Sequence, residues 1–88
     1  MKYSVFLHPS ALVSLNKLDR SVKLRIIRRL EKLGSEPESG KRLRMGKFYS
    51  LRIGEYRAIY EIWRSQGKVI VLFVDTRQNI YEEFRRLF

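Results

Sequence analysis

The side chains in this sequence that suit chemistry are mostly guanidinium, ammonium and phenol groups, and they crowd into residues 41–57, KRLRMGKFYSLRIGEYR. Six cations, Lys41, Arg42, Arg44, Lys47, Arg52 and Arg57, stand there against the single carboxylate of Glu55, with Phe48, Tyr49 and Tyr56 interleaved. Cations that hold phosphates beside rings that stack bases are what recognition of single-stranded RNA requires. Edge strands also use Lys and Arg to deter sheet aggregation, so the pattern has a purely structural use as well. His8, the only histidine, precedes Pro9 where a helix should begin, far in sequence from the basic segment, and we assign it no catalytic role. The chain has no cysteine, which removes disulfides and thiolate chemistry. No grouping of His and carboxylates suggests a metal site, and we expect no cofactor.

The whole chain shares this bias. Its 88 residues carry 19 Lys and Arg against 9 Asp and Glu, a formal net charge of +10. A surplus that dense attracts polyanions in a salt-sensitive way, with nucleic acid the commonest candidate. The length allows one compact domain over residues 1–88, with a small core. The longest wholly apolar stretch, VIVLFV at 69–74, is six residues, far short of a membrane span. With no signal-peptide core at the N-terminus, the default expectation is a cytoplasmic protein with no membrane partner.

The elements that must position the cations can be read from periodicity. Residues 2–7 alternate as a strand, and Pro9 ends it. Leu12, Leu15 and Leu18 then recur on one face of a short helix. Asp19 suits the N-cap of a second helix, in which Val22, Ile26, Leu30 and Leu33 form the apolar stripe and Gly34 the stop. Its Lys23, Arg25, Arg28, Arg29 and Lys32 read more readily as a solvated face than as a binding surface. After the loop GSEPESG come strands predicted at 42–45, 48–53, 56–63 and 68–75, with turns short enough to require antiparallel neighbours. Period two puts Tyr56, Ala58, Tyr60 and Ile62 on one face of the third of these and Arg57, Ile59, Glu61 and Trp63 on the other. The unbroken apolar run at 69–74 predicts the middle of the sheet. From Gln78, Ile80, Phe84 and Leu87 recur at helical spacing. The predicted architecture is α+β: an N-terminal strand and a two-helix hairpin packed on a mainly antiparallel sheet of four to five strands, closed by a short C-terminal helix.

LRIGEYRAIYEI at 51–62, with a tight glycine turn before Tyr56-Arg57-Ala58-Ile59-Tyr60, resembles the RelE/ParE toxins of type II toxin–antitoxin modules. The likeness extends over nearly the whole chain: an initial strand, a helical hairpin, the basic Leu43-Arg44 segment and a strand ending near Asp75. VDTRQNIY at 74–81 is similar to the RelE-type messenger-RNA endonucleases, which carry an arginine after the last strand and a tyrosine shortly beyond it. The resemblance implies a ribosome-dependent endoribonuclease with Arg57, Arg77 and Tyr81 at the catalytic site and Arg42, Arg44, Lys47 and Arg52 on the RNA backbone. Arginine stays charged at physiological pH, so Arg57 and Arg77 are cast as clamps on phosphoryl oxygens, and Tyr81 as a base-stacking or proton-exchanging group. Two lysines of some ribosome-dependent relatives correspond to Ser50 and Arg52, so a lysine general base does not carry over; Lys47 is the nearby substitute. The implied partners are messenger RNA, the ribosome and an acidic, helical RelB-like antitoxin, with no small-molecule substrate. The alternative within the same resemblance is a ParE-type inhibitor of DNA gyrase without nuclease chemistry, and a third reading is a fold member that only binds nucleic acid.

Overall fold

The computed structural model describes residues 2–44 and 46–87, the side chains of Glu83 and Leu87 excepted. In chain order the elements are β1 (Ser4–Leu7), α1 (Pro9–Asn16), α2 (Arg20–Glu31), β2 (Lys41–Arg42), β3 (Phe48–Ile53), β4 (Tyr56–Trp63), β5 (Lys68–Thr76) and α3 (Arg77–Leu87). The sheet runs β1-β5-β4-β3-β2. Its one parallel pair is β1 with β5, and the other three pairs are antiparallel. This is the expected α+β arrangement, with one displacement. The apolar run lies in β5, an interior strand, but the centre of the sheet is β4, because only β1 lies beyond β5.

The two faces of the sheet bury different things. Ala11, Leu15, Ile26, Leu30 and Leu33 from the helical hairpin pack on Leu51, Ile53, Ala58, Tyr60, Val69, Val71 and Val74. Ile80 and Phe84 of α3 cover Phe48, Ile59 and Phe73 on the opposite face. β5 serves both through a bulge: its register with β4 passes from Ile59↔Phe73 to Tyr60↔Val71, leaving Leu72 as the extra residue. A one-residue shift exchanges the faces of every later side chain, so Val71 and Val74 point one way and Phe73 the other. Apolar residues are therefore needed at consecutive positions. The bulge is tied down from outside the sheet, since Ser10 Oγ donates to the Leu72 carbonyl at 2.6 Å.

Several local expectations need correction. The strand predicted at 42–45 contracts to Lys41–Arg42. Leu43 still donates its N–H to Phe48 O at 2.9 Å, but its side chain turns onto the α3 cluster; Met45 lies outside the described residues. Asp19 does precede α2, yet its side chain makes no cap hydrogen bond, and only its carbonyl accepts, from Lys23 N–H at 2.9 Å. His8 is the better cap, with Nδ1 accepting from Ser10 N–H at 3.2 Å. Gly34 is needed for proximity rather than for a left-handed stop, because a Cβ there would meet the Tyr3 carbonyl oxygen at 2.8 Å. The C-terminal helix begins one residue early, at Arg77.

Tyr60 joins the loop to the sheet. Its hydroxyl donates to Pro37 O at 2.7 Å and accepts from Gly40 N–H at 3.0 Å, while its ring stacks on Tyr49 with centroids 5.4 Å apart. Burial pushes this phenol above its ordinary value of 10.0, against the opposing pull of the Gly40 hydrogen bond. The fold therefore favours the protonated phenol: that stability is complete below pH about 10 and is lost as pH rises through the higher folded value. Tyr60→Phe removes both hydrogen bonds and should cost about 1–3 kcal/mol in urea unfolding at neutral pH. Above pH about 10 the parent should lose stability faster than the Phe variant, and parallel loss in the two proteins would contradict the assignment.

Candidate nucleic-acid site on the sheet face beneath the C-terminal helix

The positions of the site residues follow from one turn. Gly54, with φ +60°, opens the two-residue connection between β3 and β4, the conformation a II′-type hairpin turn needs. The turn sets Ile53 opposite Tyr56, and the ladder then pairs Arg52 with Arg57 and Ser50 with Ile59. Arg57 is flanked on its other side by Asp75 of β5. Arg57, Ser50 and Phe73 all belong to the face on which α3 lies, as period two requires.

There Arg57 and Tyr81 come together through a residue that sequence reasoning had noted only as a missing lysine. Arg57 Nη1 donates to Ser50 Oγ at 3.3 Å, and Ser50 Oγ lies 3.4 Å from the Tyr81 hydroxyl. The Arg57 guanidinium carbon is 5.9 Å from the Tyr81 ring centroid, within cation–π reach. Ser50 is buried, while Arg57 and Tyr81 are half-buried. Parity along β3 and β4, together with the turn length, is the signal that would have found Ser50.

Arg57 is held but not neutralised. The ion pairs among the described residues are Lys47–Glu61 and Arg64–Glu38, and Arg57 takes part in neither. Its Nε is buried without a hydrogen-bond partner among those residues. Asp75, its neighbour in the ladder, uses Oδ1 to accept its own next N–H, from Thr76 at 2.7 Å. A half-buried guanidinium with an unpaired N–H, facing another arginine across the ladder, is a candidate anion site.

The other expected residues are distributed around this centre. Arg77 opens α3 one turn before Tyr81, exposed, and lines a hollow with Glu55, Thr76 and Gln78 rather than joining the Arg57–Ser50–Tyr81 contacts. Its N–H is fixed by Glu55 O at 3.1 Å, so the backbone there is anchored to the hairpin turn. Arg44 is exposed in the bend beyond β2. Lys47 pairs with Glu61 at 3.4 Å, which occupies the ammonium proposed as a base. Arg42 and Lys47 share a second hollow with Tyr49 and Arg64. The Arg64 guanidinium is held by Glu38 at 2.6 Å, a hydrogen bond that raises its already high pKa further. Arg52 reaches the open edge of β3, where it lines a third hollow with Arg25, Arg28 and Arg29 of α2 and with Lys32 just past its end. The helix face read as merely solvated thus meets a site cation at the sheet edge.

A two-helix hairpin on one face of a five-stranded sheet, a C-terminal helix on the other and, beneath that helix, an arginine outside the ion pairs of the described residues define a small basic α+β domain. Residues 5–81 match the family described as the ParE toxin of the type II toxin–antitoxin system parDE. Among solved structures, a chain of the RelBE2 toxin–antitoxin complex of Mycobacterium tuberculosis is 30% identical, with TM-score 0.79, covering 88% of this chain and 100% of that one. The archaeal RelE–RelB complex of Pyrococcus horikoshii provides a match at 26% identity and TM-score 0.72, over 88% and 97% of the two chains. Free E. coli RelE with two arginine-to-alanine substitutions superposes over 100% of both chains with TM-score 0.78 at 22% identity, a likeness of fold. A search of curated proteins returns no match. The chain belongs to the RelE/ParE superfamily, as a toxin of a type II toxin–antitoxin system.

If Arg57 is kept for an anion and not for the fold, removing its charge should not unfold the protein. Arg57→Met, which keeps the aliphatic stem, should leave stability unchanged or raise it by up to about 1 kcal/mol. Thermal and urea unfolding measure this; a loss of about 3 kcal/mol or more would mark Arg57 as a structural charge.

Proposed function

We propose that this toxin is a ribosome-dependent messenger-RNA endoribonuclease, with the Arg57–Ser50–Tyr81 cluster as its reaction centre. The observation that carries the reading is the Arg57 guanidinium, half-buried, outside every ion pair of the described residues and with Nε unsatisfied. Cleavage without a metal requires the ribose 2′-hydroxyl to attack the adjacent phosphorus, losing its proton as the bond to the 5′-oxygen breaks and that oxygen gains one. Arg57 would bind the non-bridging oxygens, whose charge grows in the transition state, in surroundings that strengthen the interaction. Ser50 holds the guanidinium and the phenol in one geometry, so Tyr81 either exchanges a proton with the reacting oxygens or stacks on the neighbouring base. Arg77, one turn away and free of side-chain partners among the described residues, would grip an adjacent phosphate. Arg42, Arg44 and Arg52 would follow the RNA backbone beyond it, with Lys47 reaching the RNA at the cost of its pairing with Glu61.

A RelB-like antitoxin, acidic and helical, enters through the RelE-type neighbours, several of which are complexes of RelE with RelB, and the ribosome through the resemblance of the 74–81 segment to ribosome-dependent messenger-RNA endonucleases. Ten surplus positive charges supply the physical support: an acidic segment wrapping the chain would neutralise its field and fold as it bound. A second reading, inhibition of DNA gyrase, is favoured by the parDE description of the matching family and by the separation of Arg77 from the Arg57–Tyr81 contacts. A cytoplasmic site of action fits either.

Cleavage mapped on translating ribosomes programmed with a defined message should show cuts by the parent and a loss of roughly 10²–10³-fold in rate for Arg57→Ala. Tyr81→Phe separates the two roles of the phenol, falling about 10²-fold if the hydroxyl moves a proton and little if the ring only stacks. Absence of cleavage combined with inhibited gyrase supercoiling would replace the nuclease reading with its rival.

A further inference from the structure

The face of the sheet that carries Arg57 also bears, at the opposite end of β4 and beyond the Phe84 contacts, a group of side chains that the reaction centre does not use. Trp63 ends β4, and its indole N–H donates to Glu61 Oε2 at 2.9 Å. That carboxylate is itself buried and takes Lys47 Nζ at 3.4 Å. Lys68 lies directly across the ladder from Trp63, and its ammonium sits 5.4 Å from the Phe6 ring centroid on the edge strand. A line of alternating rings and cations therefore crosses the sheet: Phe6, Lys68, Trp63, then Lys47.

Two features distinguish these rings from ordinary surface aromatics. Phe6 is 46% and Trp63 39% exposed, whereas the other aromatic side chains of the described residues are buried or half-buried. The indole is also oriented: a buried carboxylate, held in turn by a lysine, restrains its one polar atom and leaves its ring accessible to solvent. Orienting an exposed ring costs side-chain entropy and gains little burial, so the arrangement makes sense when a planar group is to lie on it. The hollow beside it is lined by Lys47, Ile62, Trp63, Arg64, Ser65 and Gln66, and its two cations are each held by a carboxylate outside that lining, Lys47 by Glu61 and Arg64 by Glu38, an exposed pair that a phosphate can replace. Lys68 stands between the two rings and interrupts the continuous apolar surface that a partner helix would need.

We propose that Trp63 and Phe6 form a stacking platform for unpaired bases, with Lys47, Arg64 and Lys68 on the flanking phosphates, so that single-stranded RNA is bound at this end of the sheet. The choice of RNA rests on the nuclease reading, while the platform rests on the rings and cations themselves. Arg57 and Trp63 are six residues apart on one strand, about 20 Å, so a bound strand spans several nucleotides between them. The cleavage site would then be chosen partly by where upstream or downstream bases stack.

Trp63 is the chain's only tryptophan, which makes its fluorescence a reporter of this site alone. A short 2′-O-methyl RNA oligonucleotide, which cannot be cleaved by its own 2′-oxygen, should quench the indole on titration, and a duplex of the same length should quench it far less. By anisotropy of the labelled oligonucleotide, Trp63→Ala should weaken binding about tenfold and Phe6→Ala by a smaller factor, with Trp63→Phe close to the parent. Both rings are exposed, and circular dichroism verifies that the variants remain folded. Equal quenching by duplex, unchanged affinity in Trp63→Ala, or quenching by an acidic helical peptide and not by RNA would overturn the proposal. Quenching by RNA from a protein that cuts no message on ribosomes would sustain the platform and reject the nuclease reading; cutting without quenching would do the reverse.

Discussion

Strand β4 is paired with neighbours on both edges, from Tyr56 to its end with β5 on one side and along the whole of β3 on the other, and this double pairing constrains everything else in the molecule. A strand paired on both edges cannot slip by one residue without exchanging its faces, which would expose Ala58 and Tyr60 and bury Arg57 and Glu61 in the main core. The helical hairpin therefore has one surface on which to pack, and α3 has the other. Arg57 is held beneath α3 by that parity, and Ser50 reaches it because the Gly54 turn sets the register of β3.

The bulge at Leu72 is the second constraint, and it acts on the neighbouring strand. Without it, β5 would offer the α3 face the same parity along its full length, and Phe73 could not join Ile59 and Phe84 while Val71 and Val74 join the hairpin core. The extra residue resolves this, and Ser10 satisfies the carbonyl it displaces from regular pairing. The first turn of α1 is thereby attached to the strand that ends where α3 begins.

Electrostatics distinguishes the two ends of the face on which α3 lies. Near Arg57 the cations stand outside the ion pairs of the described residues: Arg52 opposes Arg57 directly across the ladder, and Arg25, Arg28 and Arg29 of α2, with Lys32 just past its end, line a hollow with Arg52 at the edge. Near Trp63 the charges are paired, with Glu61 accepting from both Lys47 and the indole. One end resembles a clamp waiting for negative charge, and the other a surface on which a ring is held in place. RelE and ParE toxins share this fold, and a fold by itself does not assign an activity, so the distinction between them must come from the chemistry at these positions.

Much of the framework was legible because it depends on local regularities. Period two in residues 56–63 placed Ala58 and Tyr60 opposite Arg57 and Ile59, helical spacing found all three helices, and turn lengths implied the antiparallel hairpins. Arg77 and Tyr81 were correctly separated by one helical turn. The tertiary structure decided what depends on neighbours distant in sequence. Gly34 is required by the close approach of Tyr3, 42–45 shortens because Leu43 turns toward the α3 cluster, and β1 adds beside β5, so the apolar run is not central. Ser50 entered the site through cross-strand register, and Arg77 lines a hollow with Glu55 rather than sharing the Arg57–Ser50–Tyr81 contacts. The residue order of the chain determined which side chains share a face, because alternation is a property of the backbone; which of them meet across strands and helices was decided only when the sheet closed its register and α3 docked upon it.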